Sequence, residues 1–185
     1  MKTKYARASV HGRFQPPHIE HLEYIEAGLA LADHLIIGIT QPSIDALSDC
    51  PEDPHRAAAL ANPFTFAERC ELIGEMLRAI DISESRFSFI QFPIEAPLAL
   101  RDAIDIKVPC LTTIRDQWNI TKIERLRFLG YLVEILWDRR GISGIQGTEI
   151  RRLIRAESPD WRRYLHPAVS EHLEKTGLIN KIRNS

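Results

Sequence analysis

The alternation of apolar and polar positions divides the chain into short extended runs and longer helical ones. YARASVHG (5–12) is an apolar run ending in glycine, and HLIIGIT (34–40) is a second, β-branched and bounded by polar residues. Between them a Pro-containing turn leads into an amphipathic stretch over about 18–33. Strand, turn, helix, strand is the natural reading, and parallel neighbours need such a crossover. A connection over 41–64 follows, with prolines at 42, 51, 54 and 63, too polar and too broken for a core element. Loops of that length in a compact domain are usually functional or mobile. It ends at Thr65-Phe66-Ala67-Glu68, a capping box opening a helix whose Leu72, Ile73, Met76, Leu77 and Ile80 recur at helical spacing. FSFIQF (87–92) predicts a strand, 93–110 an irregular stretch with a short helix, and 111–114 another strand. A helix over about 119–130 precedes the strand YLVEILW (131–137). After a glycine-rich connection, 141–147, Thr148 is a good N-cap for a basic helix running to about 157, and 160–182 reads as helical with a break near His166-Pro167. Strands alternating with helices predict an α/β fold, an open parallel sheet with helices on both faces. There is no internal repeat, and 185 residues predict one domain over 1–185 with its C-terminal helical part at about 148–185.

Composition narrows the class without changing that picture. With 44% hydrophobic and 26% charged residues the balance is that of an ordinary globular protein. Lys+Arg 24 against Asp+Glu 25 leaves a net charge of -1, so no overall field draws the chain to nucleic acid or anionic lipid. The charge is uneven: residues 1–110 carry 10 basic and 16 acidic side chains, residues 111–185 carry 14 and 9. A basic segment in a neutral protein can serve a local anion site. The longest stretches free of charged residues, 34–44 and 57–67, are 11 residues each, short of the roughly 18 of a membrane span. MKTKYARASVHGRF lacks a signal-peptide apolar stretch. Cys50, Cys70 and Cys110 fit neither a disulfide framework nor a paired zinc knuckle. A reduced, cytoplasmic protein with no membrane and no nucleic-acid partner is expected, acting as a homo-oligomer.

Ligands of open parallel sheets bind beyond the carboxyl ends of the strands, where backbone amides and helix N-termini face outward. The first such end carries Gly12-Arg13-Phe14-Gln15-Pro16-Pro17-His18-Ile19-Glu20-His21. Gly12 allows close backbone approach, Arg13 supplies a planar cation, and His18 and His21 share a helix face one turn apart. Together they make a seat for a polyphosphate. His-x-x-His can also ligate zinc, though no third ligand lies nearby in sequence. A purely structural role for both histidines is the other alternative. The second candidate is Gly147-Thr148-Glu149-Ile150-Arg151, a glycine turn opening a helix, where Arg151 and the first-turn amides form a phosphate cradle. Of the neighbours Arg151 and Arg152, about 100° apart on a helix, only one can face that cradle, and Arg151 is expected to. Neither a P-loop nor a G-x-G-x-x-G signature follows the first strand.

GRFQPPHIEHL (12–22) resembles the GRFQPxHxGHL signature of the nucleotidyltransferase superfamily, in particular the archaeal-type nicotinamide mononucleotide adenylyltransferases. Asn62-Pro63-Phe64-Thr65-Phe66-Ala67-Glu68-Arg69 is similar to the NPFTxxER segment of that group, and GTEIRR (147–152) to its SGTEIRR segment. Asn119, with Gly130 eleven residues later, looks like the group's SGN followed by an xRGY turn. The resemblance covers nearly the whole chain. It implies a Rossmann-like domain in which an acceptor phosphate, most simply that of nicotinamide mononucleotide, attacks the α-phosphorus of a nucleoside triphosphate, most simply ATP, and releases pyrophosphate with Mg²⁺. His18 and His21 would contact the triphosphate and the pentavalent transition state, and Arg13 and Arg151 would hold the β- and γ-phosphates. Gly12, Phe14, Gln15, Gly147, Thr148 and Ile150 would complete the nucleotide site. The Mg²⁺ would be held mainly through the triphosphate, with no dedicated protein ligand.

Three positions depart from that pattern. Glu20 stands where the group has glycine, pointing either to solvent or to a ribose or base. Gln146 replaces the serine before GTEIR. Thr112-Thr113-Ile114-Arg115-Asp116-Gln117-Trp118-Asn119 places charge where the group has an apolar strand followed by SGN. Arg115, Asp116, Trp118 and Asn119 are therefore the expected acceptor-binding residues. Arg115 either faces the acceptor or pairs with Asp116 or Glu124 at the surface, and Trp118 either packs on an acceptor ring or belongs to the core. The departures leave the reaction type intact and bear on the acceptor: nicotinamide mononucleotide remains the first expectation, and a small phosphate or phosphonate taking a nucleotide from CTP or ATP, as in related cytidylyltransferases, is the second. A noncatalytic nucleic-acid module resting on Arg151, Arg152, Arg155, Trp161, Arg162 and Arg163 leaves GRFQPPHIEHL unexplained.

Overall fold

The computed structural model describes residues 3–45, 47 and 57–184. Five parallel strands form one sheet in the order β3-β2-β1-β4-β5: β1 (Tyr5–Gly12), β2 (Ala32–Ile39), β3 (Phe87–Gln91), β4 (Cys110–Ile114) and β5 (Val133–Asp138). The helices are α1 (Ile19–Leu31), α2 (Phe66–Arg78), α3 (Pro97–Ala103), α4 (Gln117–Phe128), α5 (Gly147–Arg155), α6 (Pro167–Lys175) and α7 (Ile179–Arg183). The α/β class read from the sequence is the class observed. No helix among the described residues is long and apolar enough to cross a membrane.

The period-2 pattern of β2 explains the layering. Leu35, Ile37 and Ile39 enter a core built with α1, α2 and the C-terminal helices, while Ile36 enters a second core with Leu100 of α3 and Trp118 and Leu126 of α4. Chain order runs outward from β1 to β3 and then returns to β4 on the other side of β1. That reversal is the topological switch point, where α/β sheets open a crevice beyond the strand ends. Here the backbone ladder between β1 and β4 pairs only Ser9 with Cys110. Further along, the Tyr24 hydroxyl takes over: it accepts from the His11 N–H (3.3 Å) and donates to the Leu111 carbonyl (2.5 Å). One side chain of α1 thus bridges two strands that have begun to part.

Several boundaries differ from those the pattern predicts. The first helix ends at Leu31 and β2 begins at once at Ala32, which is fully buried against the core. The fourth helix starts earlier than 119, because Asp116 caps it by accepting from the Asn119 N–H (3.0 Å). The fifth starts at Gly147 with Gln146 at the cap position, so Thr148 is not the N-cap. Gly147 packs so tightly on the Gln15 carbonyl that a Cβ there would lie 2.9 Å from its oxygen. This contact sets the helix start, and the Thr148 hydroxyl accepts from Arg151 instead (3.2 Å). The connection over 41–64 contains a 3₁₀ turn at Ala59–Ala61, whereas 46 and 48–56, including Cys50, Pro51 and Pro54, lie outside the described residues. Cys70 and Cys110 are free thiols, both pushed up to about 11 by burial.

Candidate active site

The turn after β1 is held by groups from three directions. Phe14 sits at φ 54°, in the left-handed region, and its ring is fully buried, lying over Gly12 and edge-on to His21 with centroids 4.8 Å apart. Gln15 exchanges two hydrogen bonds with the backbone of Phe64, donating to its carbonyl (2.9 Å) and accepting from its N–H (3.0 Å). Arg69, with no exposed surface, donates to the carbonyls of Arg13 (3.0 Å), Thr40 (2.8 Å) and Gln41 (2.8 Å). Burial lowers its pKa to about 10, which leaves it charged at neutral pH. The NPFTxxER-like segment is therefore a clamp on the strand ends. Arg69 lies within that segment, and the sequence pattern alone pointed to no role for it.

From this frame α1 begins at His18. The rings of His18 and His21 stack at 3.6 Å, and the His18 N–H donates to His21 Nδ1 (3.2 Å). An accepting Nδ1 places the ring proton of neutral His21 on Nε2. Burial, then the charges of Arg115 and Arg13, drive the His21 pKa down to about 3. Burial, then His21 and Arg115, push His18 well below the usual imidazole value. Both rings are neutral donors at neutral pH until an anion arrives. Two neutral imidazoles held this way can donate to phosphate oxygens, and an arriving anion would draw protons onto them.

Across the opening, α5 presents its N-terminus. Arg151 is buried and donates to the Gln15 carbonyl (2.6 Å) and to Thr148, with its Nε unpaired in the interior. Burial lowers its pKa to about 10. Arg152 points outward and pairs with Glu149 at 2.7 Å. The cleft, about 450 Å³, is lined by Gly12, Arg13, Phe14, Gln15, His18 and His21 from the first turn and by Gln146, Gly147, Thr148 and Arg151 from the α5 end. Arg115, Asp116, Trp118 and Asn119 also line it. Its size suits a nucleotide-scale ligand. Of the nucleotide- and acceptor-site residues expected from the sequence, only Ile150 does not line this cleft, since its side chain is fully buried in the larger core.

Three residues take roles the sequence left open or missed in kind. Asp116 and Asn119 direct their side chains at backbone N–H groups in a reciprocal cap, with Asn119 Oδ1 accepting from the Arg115 N–H (2.8 Å). Trp118 is 6% exposed within the smaller core and also borders the cleft. His11, Tyr24 and Lys122 also line the cleft. His11 stacks parallel on Phe92 at 4.5 Å, across Gly38 of β2, where a Cβ would lie 2.6 Å from the Phe92 ring. The available signals were spacing: Tyr24 stands one turn beyond His21, and Lys122 one turn beyond Trp118.

Glu20 and Arg115 both line the cleft, and each has a partner that the sequence did not suggest, namely the other. Arg115 Nη2 and Glu20 Oε2 form an ion pair at 2.8 Å, and the same carboxylate oxygen accepts from the Ile145 N–H at 3.1 Å. Among the described residues no group of three or more His, Cys, Asp or Glu side chains is placed to hold a metal ion.

Residues 10–153 match a family model described as Cytidylyltransferase-like. A phosphonoformate cytidylyltransferase from Streptomyces viridochromogenes is 33% identical over 94% of each chain. A nicotinamide-nucleotide adenylyltransferase from Archaeoglobus fulgidus is 28% identical over 96% of each, and one from Aeropyrum pernix is 26% identical over 96% of this chain and 95% of its own. In fold, the chain is similar to a bifunctional NMN adenylyltransferase/ADP ribose pyrophosphatase from Francisella tularensis complexed with AMP and a manganese ion. The TM-score is 0.66 at 16% identity, covering 97% of this chain and 52% of that one.

Proposed function

From its membership of the cytidylyltransferase-like family of nucleotidyltransferases, we propose that this chain transfers a nucleoside monophosphate from a nucleoside triphosphate to a phosphate- or phosphonate-bearing acceptor. The observation that carries the reading is the convergence of His18, His21, Arg13, Gly147 and Arg151 on one cleft at the switch point. An acceptor oxygen attacks the α-phosphorus, a new P–O bond forms, and the bond to the β-phosphate breaks to release pyrophosphate. The acceptor is already an anion at neutral pH, so no general base is needed, and the work reduces to alignment and charge neutralisation. His21, donating through Nε2–H, and His18 stabilise the charge that gathers on the α-phosphate oxygens. Arg13 and Arg151 hold the leaving phosphates, with the first-turn amides of α5 beside them. The unpaired Arg151 Nε is a buried donor that a phosphate oxygen would satisfy.

The divalent cofactor is Mg²⁺ in this reading. With no carboxylate cage among the described residues, it fits as an ion carried by the triphosphate, whose oxygen charge it neutralises. Arg13, Arg151, His18 and His21 would hold the complex through its phosphates.

Two acceptors have support. Nicotinamide mononucleotide is favoured by the archaeal relatives, matched over nearly full length, and by Trp118 at the cleft wall. A small phosphonate is favoured by the phosphonoformate cytidylyltransferase relative and by Arg115 in the wall, since a cationic pyridinium gains nothing from a guanidinium. Incubating the protein with Mg²⁺, each of the four triphosphates and a panel of acceptors should give pyrophosphate release dependent on both substrates. A kcat/KM for nicotinamide mononucleotide with ATP at or above about 10⁴ M⁻¹s⁻¹ assigns that acceptor and removes the small-acceptor reading.

A further inference from the structure

Two of the three departures from the GRFQPxHxGHL pattern and its companions, Glu20 and Arg115, are 95 positions apart in the chain and meet in an ion pair. Glu20 stands in the first turn of α1, and Arg115 just past the end of β4. The bond uses one guanidinium nitrogen and one carboxylate oxygen. A guanidinium carries five N–H donors in a planar fork, so this contact leaves most of them for another partner. The side chains are 26% and 21% exposed, which places the pair at the edge of the cleft rather than sealed in the core.

Glu20 also fixes the segment leading to α5. Its Oε2 accepts from the Ile145 N–H, and the neighbouring Gly144 lies so close that a Cβ there would be 1.8 Å from Arg115 Nη1. One carboxylate thus ties three elements together: the start of α1, the end of β4 and the approach to the triphosphate cradle. Arg115 stands close enough to both imidazoles for its charge to lower their pKa values, and Lys122, buried, adds a second cation to the same wall. Gathering cations beside neutral histidines is unfavourable in an empty cleft and becomes favourable when an anion binds there.

We propose that Arg115 recognises a second anionic group on the acceptor, apart from the phosphate or phosphonate that attacks, and that Glu20 is the positioning residue that aims Arg115 at it. The inference rests on the nucleotidyl-transfer reading and names the acceptor class for it: a small molecule with two anionic ends. Charge-assisted contacts to the far anion supply the orientation that a large acceptor would obtain from its ring.

The test is pyrophosphate release with CTP and with ATP, using phosphonoformate and phosphonoacetate, which carry a carboxylate, methylphosphonate, which does not, and nicotinamide mononucleotide. The wild-type protein should prefer the carboxylated acceptors over methylphosphonate by about 10²-fold in kcat/KM, since a site built to bind a polar group rejects analogues that lack it. Arg115→Gln should reduce that preference to below about threefold, and Arg115→Lys should restore part of it. Glu20→Gln keeps an oxygen for the Ile145 N–H but loses the charge on Arg115. It should raise the KM of the carboxylated acceptors about tenfold, the loss falling on KM rather than kcat. The proposal is overturned by a wild-type protein without the preference, by an Arg115→Gln protein that keeps it, or by equal rises in triphosphate KM with every acceptor. Glu20→Gln without a KM effect removes Glu20 from it. Product with nicotinamide mononucleotide alone overturns the inference and leaves the transfer reading standing, whereas no product with any pair overturns both.

Discussion

The stacked imidazoles of His18 and His21 are neutral because the protein withholds water and surrounds them with cations. A donor held ready in this way acts most where negative charge develops, at the reacting phosphorus. His21→Ala should therefore lower turnover by about 10²–10⁴-fold, in line with the roughly 3–5 kcal/mol that removing a preorganised donor removes from transition-state stabilisation. His18→Ala should act in the same sense and more through binding. Near-normal turnover in both variants would remove the phosphate seat. A single zinc per chain, lost in both, would restore the metal-pair alternative. The two arginines of α5 make a sharper contrast. Arg151 is buried over Thr148 and the Gln15 carbonyl, while Arg152 sits in solvent against Glu149. Arg151→Ala should raise the triphosphate KM at least about tenfold and Arg152→Ala by less than twofold, because an exposed ion pair contributes about 0–1 kcal/mol. Equal KM effects in steady-state kinetics would mean that the basic helix acts as a diffuse patch.

Local chemistry is what made elements legible, and long-range packing is what hid their ends. Thr65 caps α2 through the capping box visible in the sequence, with Glu68 accepting from the Thr65 N–H (2.9 Å). The strands were visible because β2 buries both faces and so reads as an unbroken apolar run. The start of α5 was misplaced because its cause, the Gln15 carbonyl, is 132 positions away in the chain. The Glu20–Arg115 pair was invisible for the same reason: no spacing rule connects residues that only the crossover from β3 to β4 brings together. Tyr24 belongs to this hidden class, since a tyrosine on an apolar helix face reads as core. Its hydroxyl is the link between β1 and β4 beyond their single ladder pair, and burial raises its pKa far above the usual phenol value. Tyr24→Phe leaves the His11 N–H and the Leu111 carbonyl without that partner. Urea denaturation should show a loss of about 1–3 kcal/mol. A midpoint unchanged from wild type would show that the strands hold together at the switch point without the hydroxyl.

At the scale of the whole molecule, a chain of net charge -1 concentrates cations at one crevice. Residues 111–185, with 14 basic against 9 acidic side chains, supply Arg115, Lys122 and Arg151 to the walls. This arrangement favours anions, and it also makes folding pH-dependent. In the unfolded chain His18 and His21 titrate near 6.5, whereas the folded protein keeps His21 unprotonated down to about 3 and His18 well below its ordinary value. Below pH 6.5 the unfolded state therefore binds protons that the folded state refuses, so stability falls as pH falls, from about 6.5 towards 3. Each histidine contributes at most about 1.4 kcal/mol per pH unit, an upper bound because both border an open cleft. Carboxylates with lowered pKa values, such as Glu68 paired with Lys181, add to the loss only near and below the usual carboxylate range. The histidine contribution is isolated between pH 6.5 and 5 by comparing wild type with His18→Asn/His21→Asn, which cannot titrate there. Wild-type stability should fall more steeply than that of the double variant, by about 1–3 kcal/mol over the interval. Saturating triphosphate should flatten the wild-type slope, because the bound anion lets both imidazoles take up protons in the folded state. Parallel slopes for the two unliganded proteins would show that the imidazoles already titrate normally in the folded chain.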